Sequence, residues 1–129
     1  MPEETPVKPQ LNIFGEILTP CSTDPITGYF RDGCCNTDQL DFGSHTVCAE
    51  MTDDFLRYSK SKGNDLSTPR PEFGFEGLQP GDSWCLCASR WLQAEKDGYA
   101  PMVFGASTNY LALSIVPEEI LKKYLVTVN

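Results

Sequence analysis

The chain has a single histidine and few cations: ten lysines and arginines stand against eighteen aspartates and glutamates, for a formal net charge of −8. A surface this acidic repels phosphate backbones and anionic lipid over long range, and the cations are scattered, so neither a nucleic-acid partner nor a membrane surface is expected. No apolar run approaches the about eighteen residues of a membrane span, and the opening MPEETPVKPQ lacks the basic and apolar segments of an export signal. The expected location is cytoplasmic. GxGxxG and GK[ST] patterns are absent as well, which removes the glycine-rich phosphate loops. So is C-x-x-C, the usual spacing of a zinc knuckle.

What is present suffices for one folded domain. The 129 residues are 40% hydrophobic and 22% charged, and a chain of this length buries a real core without covalent staples. Residues 1–10 hold three prolines and two glutamates and are expected to form a mobile arm, leaving 11–129 as a single α+β domain. From Cys21 to His45 the chain is rich in Asp, Thr, Gly and Asn, with turn signals at Asp24-Pro25, Thr27-Gly28 and Asp32-Gly33, and reads as loop.

The pattern then changes. Thr46 to Met51 alternates, with Val47, Ala49 and Met51 on one side and Thr46, Cys48 and Glu50 on the other, which predicts a strand. Thr52 suits an N-cap for a helix over about 53–62, with Asp53 and Asp54 at its positive end and Gly63 at its stop. A second strand with Trp84, Leu86 and Ala88 alternating against Cys85 and Cys87 is followed by a helix that Ser89 would cap and Gly98 would end. One continuous helix from Ser83 to Asp97 is the rival reading, because Trp84, Cys87, Ala88 and Trp91 also form a helical stripe. A third short strand is expected over Met102–Ala106, a short helix over 108–115, and a last helix opened by Pro117. The sum is a small sheet of about three or more strands, three or four helices, and two long loops, 21–45 and 63–83. Loops of that length in a compact domain often carry binding sites.

The runs CSTDPITGYFRDGCC, GSHTVCAEMTDDFL, GNDLSTPRPEFGF and PGDSWCLCASRW strongly resemble a family of small proteins catalogued as domain of unknown function 2237, over about Asn12 to Leu125. The resemblance brings no activity, cofactor or catalytic residue with it. It does imply a histidine in relatives where this chain has Asn109, and so weighs against an essential histidine at that position.

Six cysteines, Cys21, Cys34, Cys35, Cys48, Cys85 and Cys87, carry the strongest chemical signal. Without an export signal they read first as reduced, buried small side chains, then as metal ligands or a redox site. On the strand readings Cys48, Cys85 and Cys87 share the face opposite the apolar one, and a fourth sulfur from Cys34, Cys35 or Cys21 completes a tetrahedral thiolate site. No cofactor is the simplest expectation, and zinc is the one these residues allow. For redox chemistry, paired thiols need a nearby positive charge, and Arg31 and Arg90 are the nearest in sequence.

His45, as the only imidazole, must serve any cysteine nucleophile that needs a base. In a strand it faces away from Cys48, three residues on, so a hydrogen-bonded structural histidine is the simpler reading. The loop carboxylates Asp24, Asp32, Asp38, Asp41, Asp65 and Glu72 read mostly as turn-formers, with acid–base pairing as the alternative. Arg31 and Arg70 sit among prolines, glycines and aromatics. Each either pairs with Asp32 or Glu72, or lines a pocket for a small anionic metabolite together with His45 and Glu72. Three function classes follow: a small-ligand-binding domain, catalytic or not; a thiol or metal centre; and a protein-interaction module.

Overall fold

The computed structural model describes residues 10–126, and the expected N-terminal arm lies outside them apart from Gln10. The element order is β1 (His45–Glu50), α1 (Asp53–Ser61), β2 (Ser83–Cys87), α2 (Ala88–Lys96) and α3 (Glu118–Leu121), with 3-10 turns at Pro71–Phe73, Gly105–Ser107, Tyr110–Ser114 and Lys122–Tyr124. Each strand is thus followed by a helix, β1 after Met51 and Thr52 and β2 directly. The rival single helix from Ser83 to Asp97 is absent, because its first turn is strand.

α1 starts where its sequence says it should. Thr52 is extended and its hydroxyl accepts from the Phe55 amide, Asp53 and Asp54 occupy the first turn, and Lys60 lies in the last. α2 begins earlier than a Ser89 cap predicts: Cys87 holds the N-cap position, with no side-chain capping bond. The expected helix over 108–115 is a 3-10 turn in which Asn109 caps the Leu111 amide.

β1 and β2 pair antiparallel, with Cys48 opposite Cys85 and Ala49 opposite Trp84. Among the described residues this two-stranded sheet replaces the expected sheet of three or more strands. Of the segment Met102–Ala106, only Val103 makes bridges, one to Ala49 and one to Leu125; the turn at Gly105–Ser107 ends the pairing before a strand develops. A lone two-stranded ribbon is marginal in water, and here the surrounding chain satisfies its edges. The Cys48 amide donates to Thr108 Oγ1 and the Cys85 amide to Thr27 Oγ1, at 3.1 and 3.0 Å. Along β1, Glu50 donates to the Met102 carbonyl, while the Phe104 and Asn109 amides donate to the carbonyls of Cys48 and Thr46.

The two faces of the ribbon bury different chemistry. Val47, Ala49 and Leu86 join Met51, Phe55, Trp91, Val103, Val116 and Leu121 in the main core. Cys48 and Cys85 lie on the other face and pack with Cys35, Cys21 and Phe104 in a separate cluster. The alternation in the sequence therefore separates an apolar face from a sulfur face.

Candidate active site

On the sulfur face the loop 21–45 folds back over the ribbon, and four cysteines are joined in pairs: Cys21 to Cys48 and Cys35 to Cys85. The expectation of six reduced thiols is corrected here. Cys21 and Cys35 stand 5.8 and 5.4 Å, Cα to Cα, from their partners on the strands, which is bonding distance for cysteines; the loop path that sets this spacing has no periodicity to read. Cys34 and Cys87 remain free.

Cys87 ends β2 and opens α2, and its Sγ lies 3.3 Å from His45 Nε2. On the far side of the ring, His45 Nδ1 is 2.7 Å from Asp41 Oδ1. The other carboxylate oxygen accepts from the His45 backbone amide at 2.9 Å and from Thr37 Oγ1 at 2.8 Å. Thiol, imidazole and carboxylate thus follow one another in a chain of contacts. The Asp41 side chain is 1% exposed and that of His45 38%, so the acid is shielded while the imidazole meets solvent.

A break in the strand makes this possible. His45 pairs with Cys87 but Val47 pairs with Leu86, so β1 carries one extra residue, Thr46, between them. The bulge turns His45 onto the face of Cys85 and Cys87, the opposite of what an unbroken strand from His45 to Cys48 gives. Ser44, just before it, has φ of 48°, a left-handed conformation rare for serine. Its carbonyl receives the Ala88 amide and ties the turn to the start of α2. Gly43 supplies room: a Cβ there would lie 3.0 Å from both Cys87 Sγ and His45 Cε1.

The electrostatics fit the geometry. The hydrogen bond to Cys87 is the largest influence on His45; it outweighs the effect of burial and, with the bond to Asp41, holds the imidazole pKa up at about 9. Burial pushes the Asp41 carboxyl up, but the bonds from His45 and Thr37 together bring it below its ordinary range. Around the site stand exposed apolar side chains. Tyr29 stacks on His45 with ring centroids 6.4 Å apart, Phe30 meets Tyr29 edge-on at 5.0 Å, and Leu40 and Phe42 flank Asp41.

The remaining candidates are dispersed. Arg31 lines a cavity of about 200 Å³ with Asp24, Gly74, Phe75 and Glu76, and its guanidinium lies over the Trp84 ring at 5.6 Å. The two long loops do meet there, but Arg70 and Glu72 are exposed and do not line that cavity. Arg70 instead closes a tight turn by exchanging backbone bonds with Phe75. Cys34 takes no part in the hydrogen bonds that link Cys87, His45 and Asp41, and its thiol is pushed up by burial and by the charge of Asp32. Asn109 is buried and donates to Gln10 Oε1 and the Cys35 carbonyl. Asp41, read from the sequence as one turn-former among several, is the residue whose role was missed; its place four residues before the only histidine was the available signal.

No helix among the described residues is long and apolar enough to cross a membrane. None of the curated proteins matches the chain. A family model described as an uncharacterised protein conserved in bacteria matches residues 11–125, a span that takes in the whole of the site, and the chain belongs to that family, domain of unknown function 2237.

Proposed function

We propose that this protein is a cysteine-nucleophile enzyme of the acyl-transfer class, with Cys87 as nucleophile, His45 as its acid–base partner and Asp41 as the residue that orients the imidazole. The observation that carries the reading is the continuous contact from Cys87 Sγ to His45 Nε2 at 3.3 Å and from His45 Nδ1 to Asp41 at 2.7 Å. A nucleophile bonded to a base that is itself oriented by a third group is the recurring arrangement of covalent catalysis.

With its pKa near 9, His45 keeps on Nε2, at neutral pH, the proton that the Cys87 sulfur gives up when it reacts. The sulfur attacks a carbonyl carbon, an S–C bond forms, and the carbonyl pair moves onto oxygen. Ser89 and Arg90 stand in the first turn of α2, where amides have no partner within the helix, and these are the donors available to that oxyanion. Collapse expels the leaving group, which takes the Nε2 proton. Water, deprotonated by His45, then releases the acid and frees Cys87. Tyr29, Phe30, Leu40 and Phe42, exposed beside the triad, favour an acyl or leaving group with an apolar portion. In a reducing compartment such as the cytoplasm, which this reading adopts, Cys87 stays a free thiol.

An anionic metabolite beside Arg31 has less support, because Asp24 and Glu76 line the same cavity and oppose a second negative charge. Thiol–disulfide exchange is the second reading, favoured by the position of Cys87 two residues along β2 from the bridged Cys85. The deciding experiment offers activated aryl esters and thioesters to wild type, Cys87→Ser and His45→Ala, and follows release together with acyl-enzyme mass. Acylation confined to Cys87 and dependent on His45 supports the proposal. Reduction of a disulfide substrate without any acylation supports the second reading and sinks the first.

A further inference from the structure

We infer that Cys21, Cys35, Cys48 and Cys85, in the reduced protein, form a tetrathiolate site for one zinc ion. The four sulfurs already occupy one cluster. Those of Cys21, Cys35 and Cys85 all lie within 4.8 Å of one another, and Cys48 is bonded to Cys21. Ligands around zinc at a Zn–S distance of about 2.3 Å stand about 3.8 Å apart, so the cluster needs small sulfur movements rather than a new fold. Two donors come from directly opposite positions on the ribbon, Cys48 and Cys85, and two from the loop that covers it. Cys35, Cys48 and Cys85 are each no more than 1% exposed, as suits a closed structural site with no position left for a substrate. The set differs from the one the strand pattern suggested, since Cys87 is turned to His45 and Cys21 and Cys35 both contribute. It is therefore independent of the nucleophile reading.

The chemistry balances with an external dithiol as reductant. Each disulfide takes two electrons and two protons from one dithiol, which closes to its own disulfide. The four thiols then bind one Zn²⁺ and release four protons, leaving a centre of net charge −2. Disulfides and metal are thus two ways of tying the same loop to the same ribbon, and the loop includes Asp41 and Thr37 of the candidate site.

The test uses full-length protein in two forms: air-oxidised, and reduced with a phosphine in the presence of zinc, each freed of loose metal by gel filtration. Elemental analysis should find about one zinc per reduced chain and essentially none in the oxidised chain. Cys34→Ser and Cys87→Ser should keep the metal, and Cys35→Ser should lose it. Because the Cys35 variant is at risk of misfolding, cobalt substitution of reduced wild type provides a second readout, with the ligand-field and sulfur-to-metal charge-transfer bands of four thiolates expected. Reduced protein that stays folded without retaining zinc, that unfolds and is not restored by zinc, or whose cobalt spectrum reports fewer than four sulfurs overturns the inference.

Discussion

Replacing Asp41 by asparagine separates the orienting role of the carboxylate from its size. In the native chain three donors converge on it: the His45 ring at Oδ1, and the His45 amide and Thr37 hydroxyl at Oδ2. An amide has one acceptor oxygen and one donor nitrogen. The backbone amide cannot change its role, so the asparagine oxygen must face it and the NH₂ must face Nδ1. Nδ1 then has to accept, which moves the ring proton to Nε2, opposite Cys87 Sγ. A neutral ring protonated there cannot take the sulfur's proton. The exchange also replaces a charge-assisted hydrogen bond by a neutral one, at about 1 kcal/mol, or roughly 4 °C in a domain of this size. The assay is iodoacetamide labelling across pH with peptide mass spectrometry, using Cys34 as comparator in the same chain, since burial and Asp32 push its thiol up. We expect Cys87 in the variant to label at least about tenfold more slowly at neutral pH, with Cys34 unchanged. Cys87 labelling at the wild-type rate and with the wild-type pH profile refutes the reasoning.

Gly43→Ala places a methyl 3.0 Å from both Sγ and Cε1, so Cys87 labelling should slow while thermal stability, measured by calorimetry, changes little. In oxidised protein denatured without reductant, mass spectrometry should count two alkylated cysteines, Cys34 and Cys87, and six after reduction. Removing the Cys35–Cys85 bridge, which spans 50 residues, should cost about 4 kcal/mol in denaturant titrations of oxidised protein if loop entropy governs. Because the folded state raises His45 from about 6.5 to about 9, the stability it contributes is complete below pH 6.5 and is lost as pH rises through about 9. The denaturant midpoint should therefore fall over that window in wild type and less in His45→Gln.

Where side chains alternate or cap, the sequence is readable. Val47, Ala49 and Met51 against Cys48 announce β1, and Thr52 with two aspartates announces the start of α1. Trp84, Leu86 and Cys85 announce β2, although the helix that follows starts at the strand's last residue without the Ser89 cap. A third strand over Met102–Ala106 was a pattern too short to outlast the turn at Gly105. The site was legible only in its parts. The single histidine marked the only available imidazole, but one extra residue at Thr46 reverses the face it occupies, and nothing in the local residue pattern signals a bulge. The disulfides depend on where a loop without periodicity lies in space. Asp41 sits in that same loop among other aspartates, and only the fold distinguishes it from them.

A single imidazole makes the central claim open to one direct measurement, the ¹⁵N NMR titration of His45 in wild type and in Cys87→Ser. The claim that Cys87 and His45 form a coupled pair predicts an apparent pKa near 9 in wild type, falling clearly toward 6.5 when the sulfur is replaced by a hydroxyl. An imidazole that titrates near 6.5 in both proteins contradicts it.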